Sequence, residues 1–161
     1  MKNFNQALAG LFTILALVGA APAQAADGEH IHDWEFGAFV GVHSSSGHSS
    51  SAFGAELEYR LSLGSENVRN FGVGPIVEIA TSSPSTTLLG LGVFIHAYKG
   101  WRIIAAPGLE IVSGGNSAIF RVGTGYDFTI SDHVVVGPEI AGDFSSSHTS
   151  VVYGVHFGFG F

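Results

Sequence analysis

What this 161-residue sequence lacks is as informative as what it holds. It contains no cysteine, which removes disulfide staples, thiolate metal sites, a cysteine nucleophile and a lipid-attachment cysteine together. Charged residues make up only 12%, about half the usual share of a soluble domain. Beyond residue 25 a single lysine remains, Lys99, so the chain has neither the lysine-rich exterior of a soluble protein nor the basic stripe that binds nucleic acid. Beyond residue 26 no apolar run is long enough for a membrane-spanning helix, and helical periodicity is absent.

The first 25 residues stand apart. Met1, Lys2 and Asn3 form a short basic start, "ALAGLFTILALVGA" from Ala7 to Ala20 is an uncharged apolar run, and "APAQAAD" puts Ala23 and Ala25 where a signal peptidase reads small residues. The pattern predicts an export signal over 1–25, cleaved after Ala25, and a flexible tail over 26–33. Removing the signal leaves 5 of the 6 basic residues against all 13 acidic ones.

From Asp33 onward the sequence alternates. "DWEFGAFVGV", "AFGAELEYRLSL", "FGVGPIVEIA", "TLLGLGVFIHAY", "WRIIAAPGLEIV", "AIFRVGTGYDFTI", "VVVGPEIAGDF" and "SVVYGVHFGFGF" each place large apolar residues at every second position, the fourth and fifth on both faces. Each segment has the roughly ten residues that a tilted strand needs to cross an outer membrane. The connections "LGSENVRN", "KG" and "SDH" alternate with the Ser-rich "SSSGHSS", "SSPST", "SGGNS" and "SSSHTS". An even strand number puts both ends of the barrel on one side, the periplasm for an exported chain, and the Ser-rich turns on the other. The expected fold is all-β: an eight-stranded antiparallel up-and-down transmembrane β-barrel over 34–161.

An alternating sheet can close with its apolar face inward or outward, and the other face decides. It carries glycine at positions such as Gly37, Gly54, Gly72, Gly74, Gly90, Gly92, Gly123, Gly125, Gly154, Gly158 and Gly160, which suits the cramped bore of eight strands. The apolar face is therefore expected to meet lipid. Trp34, Tyr59, Phe71, Trp101, Tyr126, Phe128, Phe159 and Phe161 fall at the periplasmic strand ends, as an interfacial girdle requires. Pro75, Pro107 and Pro138 recur one hairpin apart inside strands. A closed sheet has no edge to excuse a missing N–H, so they are expected at bulges, past which the facing of Glu78, Glu110 and Glu139 could slip.

The signal, the eight alternating segments and a last strand with Tyr153, Val155, Phe157, Phe159 and Phe161 on one face resemble the small outer-membrane β-barrel proteins of Gram-negative bacteria, the OmpA/OmpX/OmpW-like barrels. The resemblance implies a cell outer-membrane location with both termini periplasmic. It also makes the terminal aromatic strand the signal read by the barrel assembly machinery. It implies a monomer surrounded by outer-membrane lipid and lipopolysaccharide, with no nucleic-acid partner and no cofactor. Activity does not follow from fold.

Chemistry is then sought in three places. Alternation turns Glu35, Glu56, Glu58, Glu78, Glu110, Asp127, Glu139 and Asp143 into the bore with Arg60, Arg102 and Arg121. A network of guanidiniums bridging carboxylates would plug the bore, whereas an open one would make a narrow cation or small-solute channel. On the outer rim, Ser150 lies two residues after His148, the spacing of the outer-membrane lipid A deacylases, and His43 and Ser44 sit on the adjoining hairpin; no acid follows Ser150. That rim supports the alternative of a lipid A-modifying hydrolase or acyltransferase. His43, His48 and His148 are candidates for a Zn²⁺ site there, and Asp27, Glu29, His30, His32 and Asp33 for a loose divalent site in the tail. The expected protein is non-enzymatic, with a structural or surface-interaction role.

Overall fold

A computed structural model describes residues 32–61, 71–97 and 100–161. The signal segment, most of the tail, including Asp27, Glu29 and His30, and the "LGSENVRN" connection lie outside the described residues. Nine strands follow one another: β1 (Trp34–Ser45), β2 (His48–Leu61), β3 (Phe71–Ala80), β4 (Thr86–His96), β5 (Trp101–Val112), β6 (Gly115–Tyr126), β7 (Phe128–Ser131), β8 (Val134–Ser145) and β9 (Thr149–Gly160). All pairings are antiparallel between chain neighbours, and β9 returns to pair with β1. Both β6 and β7 pair with β8, so they are two lengths of one stave and the sheet closes as an eight-stranded barrel. Closure leaves no strand edge, the condition for crossing lipid with strands.

The side-chain alternation has the expected hand. Phe36, Val40, Phe53, Leu91, Phe120 and Phe157 are exposed on the outside, while the intervening residues face the bore. The aromatic girdle is built from cross-strand partners. Trp34 and Tyr59 are paired residues with ring centroids 4.8 Å apart, Trp101 and Tyr126 are paired at 5.5 Å, and Phe128 adds to the latter at 4.8 Å. Such pairs gain from facing side chains while their polar tips sit at the membrane boundary. Inside, Ile76, Leu88, Phe94, Ile104, Ala106 and Ile119 form one apolar cluster, and Phe39, Ala52 and Val152 another.

The three strand prolines do not make bulges. Residue pairing keeps one register past each of them: Glu56↔Ile76 and Tyr59↔Val73 around Pro75, Gly90↔Gly108 and Val93↔Ala105 around Pro107, Gly125↔Glu139 and Phe128↔Val136 around Pro138. In every case the pairing lost is with the preceding strand, where the ring supplies no N–H, while the pairing with the following strand is unbroken. At two of the sites the residue before proline is glycine. A Cβ on Gly74 would overlap the carbonyl oxygen of Leu57, and one on Gly137 that of Tyr126, so the strands approach closely where the ladder is interrupted. With register preserved, Glu78, Glu110 and Glu139 keep their inward facing.

Two further departures concern strand ends. Three of the Ser-rich segments read as connections, "SSSGHSS", "SGGNS" and "SSSHTS", are partly strand, whereas in "SSPST" only Thr86 is. Between β1 and β2 only Ser46 and Gly47 turn, both with positive φ (49° and 83°), the two-residue hairpin whose twist matches its strands. Serine hides this from a hydrophobicity pattern because these ends carry no apolar face. Conversely, the sixth predicted strand, continuous through "GYDFT", is broken at Asp127.

Candidate functional site

The bore holds two charge clusters stacked along the barrel axis. In the outer one, farther from the chain termini, Arg121 of β6 donates from Nε to Asp143 Oδ1 at 2.7 Å and from Nη2 to Oδ2 at 2.9 Å. Its third arm donates from Nη1 to Glu78 Oε2 at 2.8 Å. Arg121 and Asp143 are cross-strand partners, so register alone sets the fork against the carboxylate, the strongest geometry that such a pair offers. No polar atom of these three side chains is both buried and without a partner. Above them Glu110 Oε2 lies 3.0 Å from His148 Nε2.

The cluster nearer the chain termini is larger. Arg102 of β5, fully buried, bridges Glu56 of β2 and Glu139 of β8, lies 3.9 Å from Asp127 through Nε and rests 5.7 Å from the Phe94 ring centre. Arg60 donates to Glu35 Oε2 at 2.6 Å and stands 3.4 Å from Glu58. Two histidines join that the sequence reading left out of the network. His96 Nε2 is 2.7 Å from Glu58 Oε1. His156 places Nε2 3.2 Å from Glu56 and Nδ1 3.5 Å from Asp127. His156 shares a strand face with Gly154, Gly158 and Gly160, a periodicity that could have marked it as inward; periodicity could not show which acids lie across the bore. In this cluster Glu35 Oε1, Glu58 Oε2, Arg60 Nε, Arg102 Nε and both ring nitrogens of His156 are buried without a hydrogen-bond partner. Five carboxylates (Glu35, Glu56, Glu58, Asp127, Glu139) thus share two guanidiniums and two imidazoles. The structure therefore sets all eight acids and three arginines in or against the bore.

The rim is arranged otherwise than expected. Ser150 is buried with its hydroxyl unpartnered, and His148 meets Ser145 and Ser147 instead, with Nδ1 3.0 and 3.2 Å from their hydroxyls. Ser145 also accepts the backbone N–H groups of Ser147 and His148, so it ties the turn together. His43 is buried on β1 beside Ser50, whereas His48 is exposed at the hairpin tip. The structure does not gather His43, His48 and His148. Among the described residues the one set of three possible ligands within 4.8 Å of one another is Glu35, Glu56 and His156. In the tail, His32 turns back on the barrel, with Nε2 3.0 Å from the carbonyl of Asp132 and its ring 4.4 Å from that of His133.

A closed eight-strand barrel, apolar outside and charged within, is the architecture of an outer-membrane barrel protein. One solved structure supports this at the level of fold. The N-terminal β-barrel domain of Pseudomonas aeruginosa OprF is similar with a TM-score of 0.57 at 16% identity, covering 80% of this chain and 96% of that one. Neisserial surface protein A has a TM-score of 0.47 at 13% identity, and the attachment invasion locus protein Ail of Yersinia pestis 0.48 at 9%, each over 80% of this chain and 96% of the other. No family model matches the sequence, and no curated protein is similar to it. The likeness is one of fold.

Proposed function

We propose that this is a non-catalytic structural protein of the outer membrane, a monomer whose bore is plugged by its own charge network and whose short Ser-rich hairpins face the lipopolysaccharide surface. The observation that carries the reading is the filling of the bore. Arg102, Phe94, Ile104, His156 and Glu58 are fully buried there, and the cavity between Phe39, Ile76, Glu78, Ile104, Arg121, Glu139 and His156 offers about 10 Å³, room for about one water. Protein reconstituted in planar bilayers is expected to show no steady current. A sustained cation conductance that Glu56→Gln abolishes would replace this reading with a channel. The aromatic last strand serves recognition by the assembly machinery: deleting Phe161 is expected to leave export intact and to lower the yield of heat-modifiable, folded barrel.

One observation favours a second reading. His148 stands between Glu110 and the hydroxyl of exposed Ser147, the acid–base–nucleophile order of an acyl hydrolase facing lipid A. Here Glu110 supplies the acid that the sequence after Ser150 lacks. Lipid A from cells with and without the protein decides it: a change in acyl number that His148→Ala removes would make the rim catalytic, and identical profiles retain the structural reading.

A further inference from the structure

We infer that the periplasmic half of the bore is a metal site, in which Glu35 of β1, Glu56 of β2 and His156 of β9 bind one divalent cation of the Zn²⁺ class. These strands are adjacent in the barrel, β2–β1–β9, and their ligand atoms all lie within 4.8 Å of one another. Two carboxylates and an imidazole form the mixed O/N set that Zn²⁺ accepts, with water in the fourth position.

Two acids near an imidazole would be a commonplace without further marks. The first mark is unspent bonding capacity. Glu35 is 5% exposed and His156 1%, yet Glu35 Oε1 has no hydrogen-bond partner, and His156 Nε2 makes no hydrogen bond of good geometry, meeting only its proposed co-ligand Glu56 at 3.2 Å. Buried polar atoms are seldom left so. The second is what stands behind each ligand. Arg60 holds the other oxygen of Glu35 at 2.6 Å, Arg102 holds Glu56, and Asp127 faces the far ring nitrogen of His156 at 3.5 Å. A carboxylate behind the imidazole and donors behind the carboxylates are the outer shell that orients metal ligands. The break between β6 and β7 falls at Asp127, the residue that backs His156.

The third mark is space. Gly37 and Gly158 are cross-strand partners on β1 and β9. A Cβ on Gly37 would meet His156 Nε2 at 2.6 Å and Glu56 Cγ at 2.5 Å, and one on Gly158 would meet Glu35 Oε1 at 2.6 Å. This pair of glycines leaves the three side chains room to converge. Tetrahedral Zn²⁺ with bonds of about 2.0 to 2.2 Å needs ligand atoms about 3.3 Å apart, a contraction that carboxylate rotations supply. Charge favours it as well: with neutral imidazoles, the five carboxylates of this half outnumber Arg60 and Arg102 by three.

The test uses tag-free barrel refolded in detergent with Zn²⁺, desalted, and assayed for bound metal per chain. Folding of every variant is checked by the mobility of unboiled against boiled samples. One equivalent of zinc is expected in the wild type and in the triple variant His43→Ala, His48→Ala, His148→Ala. At least a tenfold weaker affinity is expected in Glu35→Gln and in His156→Gln. Should those variants not fold, ¹⁵N spectra of the wild type give the answer alone: zinc is expected to leave the His156 ring protonated at Nδ1 only, with Nε2 shifted by metal. A wild type that holds no zinc, a His156 ring unmoved by zinc and protonated on both nitrogens as a bridge between Glu56 and Asp127, or zinc lost with the rim triple variant would each overturn the site.

Discussion

The two halves of the bore solve the burial of carboxylates differently. In the outer half a single arginine meets two acids, one of them its own cross-strand partner, and every buried polar atom of the set is bonded. In the half nearer the chain termini two arginines and two histidines are shared among five acids, and six buried polar atoms, on Glu35, Glu58, Arg60, Arg102 and His156, make no hydrogen bond, those of Arg60, Arg102 and His156 meeting carboxylates only at 3.2–3.9 Å. The first is a closed unit fixed by strand register. The second is a network that its own residues do not complete, and such incompleteness belongs to sites that bind something or switch.

Mutations can break or sharpen this contrast. The largest effect is expected from Arg102→Met, which strands Glu56, Glu139 and Asp127 in the bore; urea unfolding in detergent, followed by gel mobility, should show a loss of about 3–5 kcal/mol, the usual cost of an uncompensated buried charge. Arg121→Met should cost about 3 kcal/mol by the same reasoning, since Glu78 and Asp143 lose their one guanidinium. Replacing the outer set together, Glu78→Leu with Arg121→Met and Asp143→Leu, should return stability to within about 1 kcal/mol of wild type, because a buried ionic set removed whole leaves nothing unpaired. If the triple variant is as unstable as Arg121→Met alone, the outer cluster is not a self-contained unit.

Smaller effects are expected away from both clusters. Gly137→Ala puts a methyl on the Tyr126 carbonyl and should cost about 1–3 kcal/mol as the strands part, whereas Gly90→Ala, whose nearest contact would be 3.4 Å, should be nearly neutral in the same unfolding assay. His148→Ala at the partly exposed rim should change stability by about 1 kcal/mol or less. A larger loss there would extend the cooperative network to the outer mouth.

The sequence was legible where one physical rule dominated. Alternation fixed by burial placed Glu35, Glu56, Glu58 and Arg60 in the bore, and the sorting of Trp34, Tyr59, Trp101 and Tyr126 to one end located the girdle. Pro75, Pro107 and Pro138 misled, because a ring inside a closed sheet suggests a bulge, yet a ladder can lose pairing on one side and hold its register through the other. The partners of His96 and His156 were not legible, since strand periodicity gives the direction of a side chain but not what stands across the barrel. At the rim, hairpin adjacency suggested that His43, His48 and His148 meet. His148 is instead drawn to Glu110 of β5, a contact set by the shape of the mouth.

The seam between β1 and β9 carries a consequence in time. Trp34 and Phe161 exchange both backbone hydrogen bonds, Phe161 N–H to Trp34 O at 2.9 Å and Trp34 N–H to Phe161 O at 3.3 Å, and this seam joins the strands that lie farthest apart along the chain. Every other stave can form by zipping onto its predecessor, but this one must wait until all of them stand. Until then the sheet has two open edges, each a row of unsatisfied amides able to pair with another chain. The vulnerable moment in the life of this barrel is therefore the interval before its first strand meets its last, and a companion that shields those edges would act there as a kinetic guardian rather than as a source of stability.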